Sequence, residues 1–286
     1  MVQRLAHHPF KVEMRVRFPL GLPILLLAFF AVAAPAVWAQ SNGPLSQKEL
    51  DQITARGRLL FEYDFAAWHA TDVVQPLNLP EGSIAAYVAQ KKGTEWTVVW
   101  GRFNESRDRL LIVYEAAQGA SREKFEVRKH DPPLEDTGFY FLAAKALQTG
   151  LADFGRASRP YNSVVLPAPS GEFYVYLLPA QTKNGVYPLG GDVRYRVSSD
   201  GSTIVEKRQL HRTILEVGDP NHSLQKAGGY HTHVLSEVPE DTDVFHVLRQ
   251  ERPVPEYVAT RKYVYCVQPD GTIRFLGDLE KFLKKK

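Results

Sequence analysis

The sequence predicts an α+β fold, and three observations carry that prediction. Of 286 residues, 44% are apolar and 23% charged, globular proportions that exclude wholesale disorder and collagen-like structure. Short β-rich runs are interleaved with segments of helical spacing. The turns between neighbouring β-rich runs have hairpin length, which favours antiparallel pairing over strand–helix–strand crossovers.

The chain opens on a basic run, MRVR at 14–17, followed by the apolar stretch Phe18 to Val37 and the small-residue exit Val37-Trp38-Ala39. That order is the order of a secretory signal peptide, cut after Ala39, with Met1 or Met14 as the start. The expectation is a secreted or periplasmic protein, associated with a membrane only if the apolar stretch stays uncleaved and spans. Four of the 35 Lys and Arg residues and one of the 32 Asp and Glu residues fall in 1–39, which leaves 31 of each. A formally neutral mature chain argues against nucleic acid as a partner, since phosphate contacts need a basic excess. Residues 40–286 are numerous enough to build a core without disulfides.

Taken in order, Ser46 and Glu49 form a capping-box pattern ahead of apolar Leu50, Ile53, Leu60 and Phe61, spaced as a helix running towards Trp68. Strands over 84–90, 96–103 and 110–115 form an antiparallel meander, and Pro132-Pro133 marks a break. A helix over 137–154 follows from Phe141, Ala144, Leu147 and Leu151, with Gly155 ending it. Strands are expected at 162–166, 172–178, 193–197 and 204–208, the last two joined by the turn Ser199-Asp200-Gly201-Ser202. After an apolar run at 210–217 and a strand ending in 230–235, Pro239 and the acids Glu240, Asp241 and Asp243 open a short helix. Strands at 257–260, 262–267 and 272–276 and a terminal helix from Leu279 close the chain. The economical division is a signal peptide (1–39), an N-terminal α+β lobe without a catalytic pattern (40–131), and a C-terminal domain (132–286).

Most chemistries find no support. Cys266 is the single cysteine and lies in a strand pattern, so it reads as a small buried hydrophobe. There is no G-x-S-x-G elbow, and Gly190-Gly191 precedes a strand rather than a helix. Aromatic residues Phe173, Tyr174, Tyr176 and Tyr195 suit half-buried strands as well as a binding face.

One constellation points to chemistry. His231-Thr232-His233 sits on a strand pattern, and alternation with period two puts both imidazoles on one face. Glu237, Glu240, Asp241 and Asp243 follow closely, so two histidines and one carboxylate could hold a zinc ion with a position left for water. The plain alternative is an edge strand with two surface histidines. His246, one turn from Asp243 on the same helical face, could support the ligands or donate a third nitrogen, the plainer expectation being a surface histidine. His211 precedes the metal strand, while His69 packs beside Trp68. His-Thr-His-x-x-x-Glu237 also fits the first half of a cupin motif, whose second half has no counterpart downstream.

The segment GGYHTHVLSEVPEDTDVFHVL (228–248) resembles the metal motif of the JAB/MPN (JAMM) metallopeptidases: a strand bearing His-x-His, then a loop ending in Ser-x-x-Asp at a helix start. The stretches 255–260 and 268–273, and the helix and strand over 137–166, extend the resemblance across roughly 137–276. It implies a C-terminal mixed sheet flanked by helices and zinc ligands at His231, His233 and Asp243, with Asp241, Glu237 and His246 as alternates. Glu240 stands in place of the family's serine. No acid lies near 159–162, where its glutamate belongs, which leaves Glu172, Glu206 and Glu216 as substitute bases. The implied activity is zinc-dependent hydrolysis of an amide or isopeptide bond in a peptide or protein substrate. The alternative is a non-catalytic secreted or cell-envelope binding protein.

Overall fold

A computed structural model describes residues 43–77, 84–218 and 227–284. The signal segment and its cleavage point lie outside the described residues.

Helix α1 (Gln47–Val74) starts as its capping box dictates: the Ser46 hydroxyl accepts the Glu49 N–H, and the Glu49 carboxylate accepts the Ser46 N–H at 2.8 Å. Leu50, Ile53, Leu60, Tyr63, Ala67 and Val74 turn one buried stripe inward. Strands β1 (Ala86–Lys92), β2 (Glu95–Phe103), β3 (Leu110–Gln118) and β4 (Phe125–Asp136) form one antiparallel sheet in sequence order. The fourth strand was not expected. Its side chains are nearly all exposed or half-exposed, so no apolar alternation marks it. The predicted break at Pro132-Pro133 falls inside it, where the ladder jumps from Ile112↔Leu134 to Tyr114↔Lys129. Proline is tolerated there because β4 is an edge strand.

Helix α2 (Phe139–Phe154) ends at Gly155, whose positive φ of 72° lies in a region that glycine adopts freely. It packs on a second antiparallel sheet of β5 (Tyr161–Pro167), β6 (Phe173–Pro179), β8 (Val193–Val197) and β9 (Ile204–Gln209). Between β6 and β8 the chain detours through β7 (Val186–Gly190), which pairs with β10 (Ile214–Gly218) as a separate ribbon. The last sheet holds β11 (Gly229–Thr232), β12 (Glu256–Ala259), β13 (Tyr263–Val267) and β14 (Ile273–Asp278). Here β11 and β12 are parallel, joined by α3 (Asp241–Leu248), while the remaining pairs are antiparallel. Helix α4 (Leu279–Leu283) ends the described chain. Helices and mostly antiparallel sheets together make the fold α+β.

Three apolar clusters form the core, and each draws residues from both sides of position 131. Leu60, Tyr63 and Ala67 of α1 meet Trp100, Tyr176 and Phe245. Val88 and Val99 meet Leu147, Val175 and Tyr195. Leu50 and Ile53 meet Val244, Val258 and Tyr265. Helix α1 thus crosses α3, and the crossing point is Gly57. A Cβ there would lie 2.6 Å from the Asp241 carbonyl oxygen and would overlap the Val244 side chain. This close approach fixes where the first turn of α3, with its acids, stands in the molecule. Among the described residues no helix is long and apolar enough to cross a membrane.

Candidate metal centre

The strand β11 and the ends of β9 and α3 converge on one buried spot. His231 lies on β11, and His233 just beyond it, its N–H donating to the Ala259 carbonyl at 2.8 Å so that the ladder continues. Their Nε2 atoms are 3.1 Å apart, as alternation on one face requires. Asp243 occupies the third position of α3, where its Oδ2 accepts the Glu240 N–H at 2.7 Å. The helix start therefore orients this carboxylate before any ligand is considered. Its Oδ1 is 3.1 Å from His231 Nε2, and Oδ2 is 3.3 Å from His233 Nε2.

The fourth member is His211, which follows β9. Its Nε2 lies 2.9 Å from His233 Nε2 and 3.1 Å from Asp243 Oδ1. His211, His231, His233 and Asp243 are all buried, and one donor atom of each falls within 4.8 Å of all the others. An ion about 2.1 Å from two imidazole nitrogens holds them about 3 Å apart at a near-right angle and about 3.4 Å apart at the tetrahedral angle. The observed separations fit a single ion.

The second ring nitrogens decide what the first ones can do. His211 Nδ1 is 2.8 Å from the Asp192 carboxylate, His231 Nδ1 is 2.8 Å from the Glu256 carboxylate, and His233 Nδ1 is 2.8 Å from the Val238 carbonyl. Carboxylates and carbonyls only accept, so each Nδ1 carries a hydrogen, and each ring, when neutral, presents an Nε2 lone pair. Three such lone pairs and a carboxylate facing one another at 2.9–3.3 Å repel unless positive charge lies between them. Second nitrogens held by carboxylate or carbonyl partners are the usual support of metal-binding imidazoles. Glu256 reaches His231 because its register partner is Gly229: a Cβ there would come 2.6 Å from the Glu256 carboxyl carbon.

The surrounding carboxylates favour positive charge at this spot, which protons on the rings supply when no cation is bound. Burial works against charge on His231, but Asp243 and Glu256 outweigh it and hold its pKa up at about 9. Burial likewise opposes charge on His211, yet Asp192 and Asp243 hold its pKa well above the ordinary value. Burial pushes Asp243 up, while His233 and His211 pull it well below the carboxylate range. The pocket is built to hold a negative carboxylate against positive charge.

The remaining sequence candidates lie elsewhere. Asp241 is committed to Arg56 (2.9 Å), Arg194 (2.8 Å) and the Tyr176 hydroxyl (2.6 Å). Glu237 pairs with Arg261 at the surface. His246 is buried on α3 but is not in the cluster; burial first, then Arg249 and His231, push its pKa down to about 3. Of the substitute bases, Glu172 and Glu206 pair with Arg196, and Glu216 pairs with Arg159 at 2.7 Å. None of the three lies among the clustered donors. Glu240 is buried against Arg208 at 2.5 Å; burial raises its pKa to about 7 while Arg208 opposes the rise. Asp192 and Glu256 carried no spacing signal, because their roles depend on sheet register. A cavity of about 360 Å³ opens beside the cluster, with His211 and His231 in its wall.

No family model and no curated protein matches this chain. Among solved structures, a GH43_1 enzyme from Xanthomonas citri complexed with xylotriose is similar at 13% identity, with a TM-score of 0.17. The match covers 68% of this chain, which spans about 55% of the length of that one. A likeness at that level carries no argument.

Proposed function

We propose that this chain is an exported metalloprotein in which His211, His231, His233 and Asp243 hold one divalent cation, zinc in the first instance, and that it hydrolyses an amide bond. The observation that carries the proposal is the convergence of three Nε2 atoms on one carboxylate, each ring holding an acceptor at its Nδ1. A cation there would supply Lewis acidity for polarising a carbonyl and activating water. The side chains of the protein hold the imidazole tautomers, fix the Asp243 carboxylate through the helix start, and leave the cavity open on the His211 and His231 side. The basic and apolar leader at 14–37 supports export. The His-x-His strand followed by an acid-opened helix supports the kinship with JAB/MPN domains, a histidine here being added to their donor set.

A second reading keeps the metal and drops the reaction. Four protein donors satisfy a structural zinc, and Glu172, Glu206 and Glu216 are all tied to arginines away from the cluster. The chain is then a metal-stapled binding protein. Elemental analysis of the purified protein beside His231→Ala/His233→Ala tests the shared premise. One equivalent of metal, lost in the double variant, supports it; no metal in either, with equal thermal stability, refutes it. Release of amine from acylated amino acids and peptides by the loaded protein then separates hydrolase from binder.

A further inference from the structure

Granting the amide hydrolysis proposed above, the cavity beside the cluster says what kind of amide fits. One end is formed by His211 and His231. Most of the remaining lining is aliphatic, and Leu215, Val234 and Leu235 are 47%, 59% and 47% exposed. Large apolar side chains left open around a concave site mark a surface that receives an apolar ligand. Among the described residues one charged side chain other than the histidines lines the cavity: Arg212, next in sequence to a metal-site histidine. Among the described residues no Asp or Glu lines it and none pairs with Arg212. A guanidinium in the wall of a largely aliphatic cavity, beside Thr213 and Thr232, selects a carboxylate on its ligand.

We infer that the site takes an N-acylated amino acid with an apolar side chain and a free α-carboxylate, the carboxylate bound by Arg212, the side chain by Leu215, Val234 and Leu235, and the amide facing His211 and His231. The reaction is addition of water across the amide: the C–N bond breaks, the acyl carbon takes hydroxyl, and the nitrogen takes a proton. The products are a carboxylic acid and a free amino acid. The same group occurs in small N-acyl amino acids and at the C-terminus of a peptide.

The test compares binding of N-acetyl-L-leucine and N-acetyl-L-leucinamide by titration calorimetry, in the full protein and in Arg212→Ala and Arg212→Lys, each with and without added zinc. Wild type should bind the carboxylate at least about tenfold more tightly than the amide, as one charge-assisted pair implies. Arg212→Ala should bind the two alike, and Arg212→Lys should restore part of the preference. Arg212 is exposed, so unchanged thermal unfolding should show that the variants fold. No preference in wild type overturns the inference, and so does a preference that survives Arg212→Ala, which would place the carboxylate on the metal. An Arg212-dependent preference without turnover refutes the hydrolase and leaves the pocket standing. Turnover indifferent to Arg212 does the reverse. An acetylated tripeptide ending in leucine tells the sources apart: equal affinity points to peptide C-termini, and affinity lower than that of N-acetyl-L-leucine points to small N-acyl amino acids.

Discussion

Replacing Gly57 by alanine pits two effects of known size against each other. Alanine is favoured over glycine inside a helix by about 1 kcal/mol, so propensity alone makes Gly57→Ala stabilising in a 28-residue helix. The crossing says otherwise. The added Cβ would stand 2.6 Å from the Asp241 carbonyl oxygen and against the Cβ of Val244, neither of which is the free end of a flexible side chain. Overpacking of a well-filled site costs about 1–3 kcal/mol, and rigid neighbours put this case at the upper end. The net expectation is a loss of about 2 kcal/mol, or about 4–8 °C in Tm for a chain of this size. The exposed α1 substitution Gln52→Ala should stay within about 0.5 kcal/mol. Because Asp241 and Asp243 share the first turn of α3, displacing that turn should also weaken metal binding. Thermal unfolding with and without zinc reads both effects. A variant more stable than wild type by the helix-propensity increment would refute the crossing geometry.

Other perturbations have equally definite outcomes. Glu256→Ala and Asp192→Ala should each weaken metal affinity about 10- to 100-fold by releasing His231 or His211 from its tautomer, as measured by competition with a chromogenic chelator; unchanged affinity would show that these carboxylates hold nothing in place. Asp241→Ala strips the carboxylate from Arg194, whose side chain is only 5% exposed, and should cost about 3–5 kcal/mol in denaturant unfolding, whereas a loss below 1 kcal/mol would place Arg194 in water. Stripping metal with a chelator should lower Tm, and zinc at about 100 times its dissociation constant should return about 2.7 kcal/mol, or about 5–11 °C; a Tm indifferent to both treatments would contradict a metal bound to the native state.

How much of this was legible follows from how far each signal reaches. Local signals read well: Ser46 and Glu49 announced α1, Gly155 closed α2, and the acid run before Val244 opened α3, because caps and periodicity act within one turn. Where a segment lacks an apolar stripe, the reading failed; β4 is almost wholly exposed, and its prolines resembled a break. The pair His231 and His233 was visible because alternation alone puts them together. Asp243 gained its place from the helix start. The sequence reading gave His211 little weight because 20 residues separate it from His231, and only the course of the chain through the β10 ribbon brings it back. Glu256 and Asp192 belong to the same class: their contacts span 25 and 19 positions, and no local pattern encodes them.

The charge around the cluster explains why these distant residues come as a set. Three imidazoles are ringed by three buried carboxylates, Asp192, Asp243 and Glu256. With the rings neutral, that is three negative charges in a region where each unpaired charge costs several kcal/mol. Aliphatic packing would have been a cheaper way to fill the same space. One divalent cation leaves a single negative charge and gives every Nε2 lone pair a partner. Protons on two of the rings leave the same net charge, but they compete for the same nitrogens and leave donors and acceptors crowded at 2.9–3.3 Å. The neighbouring acids of α3 point the same way by contrast: Asp241 has Arg56 and Arg194, and Glu240 has Arg208. Among the described residues Asp243, the most deeply buried of the three, pairs with no arginine or lysine, and it faces the three histidines instead. A carboxylate placed at the positive end of a helix and faced by imidazoles whose outer nitrogens are already committed is a site that could hold a metal ion, which would give every Nε2 a partner.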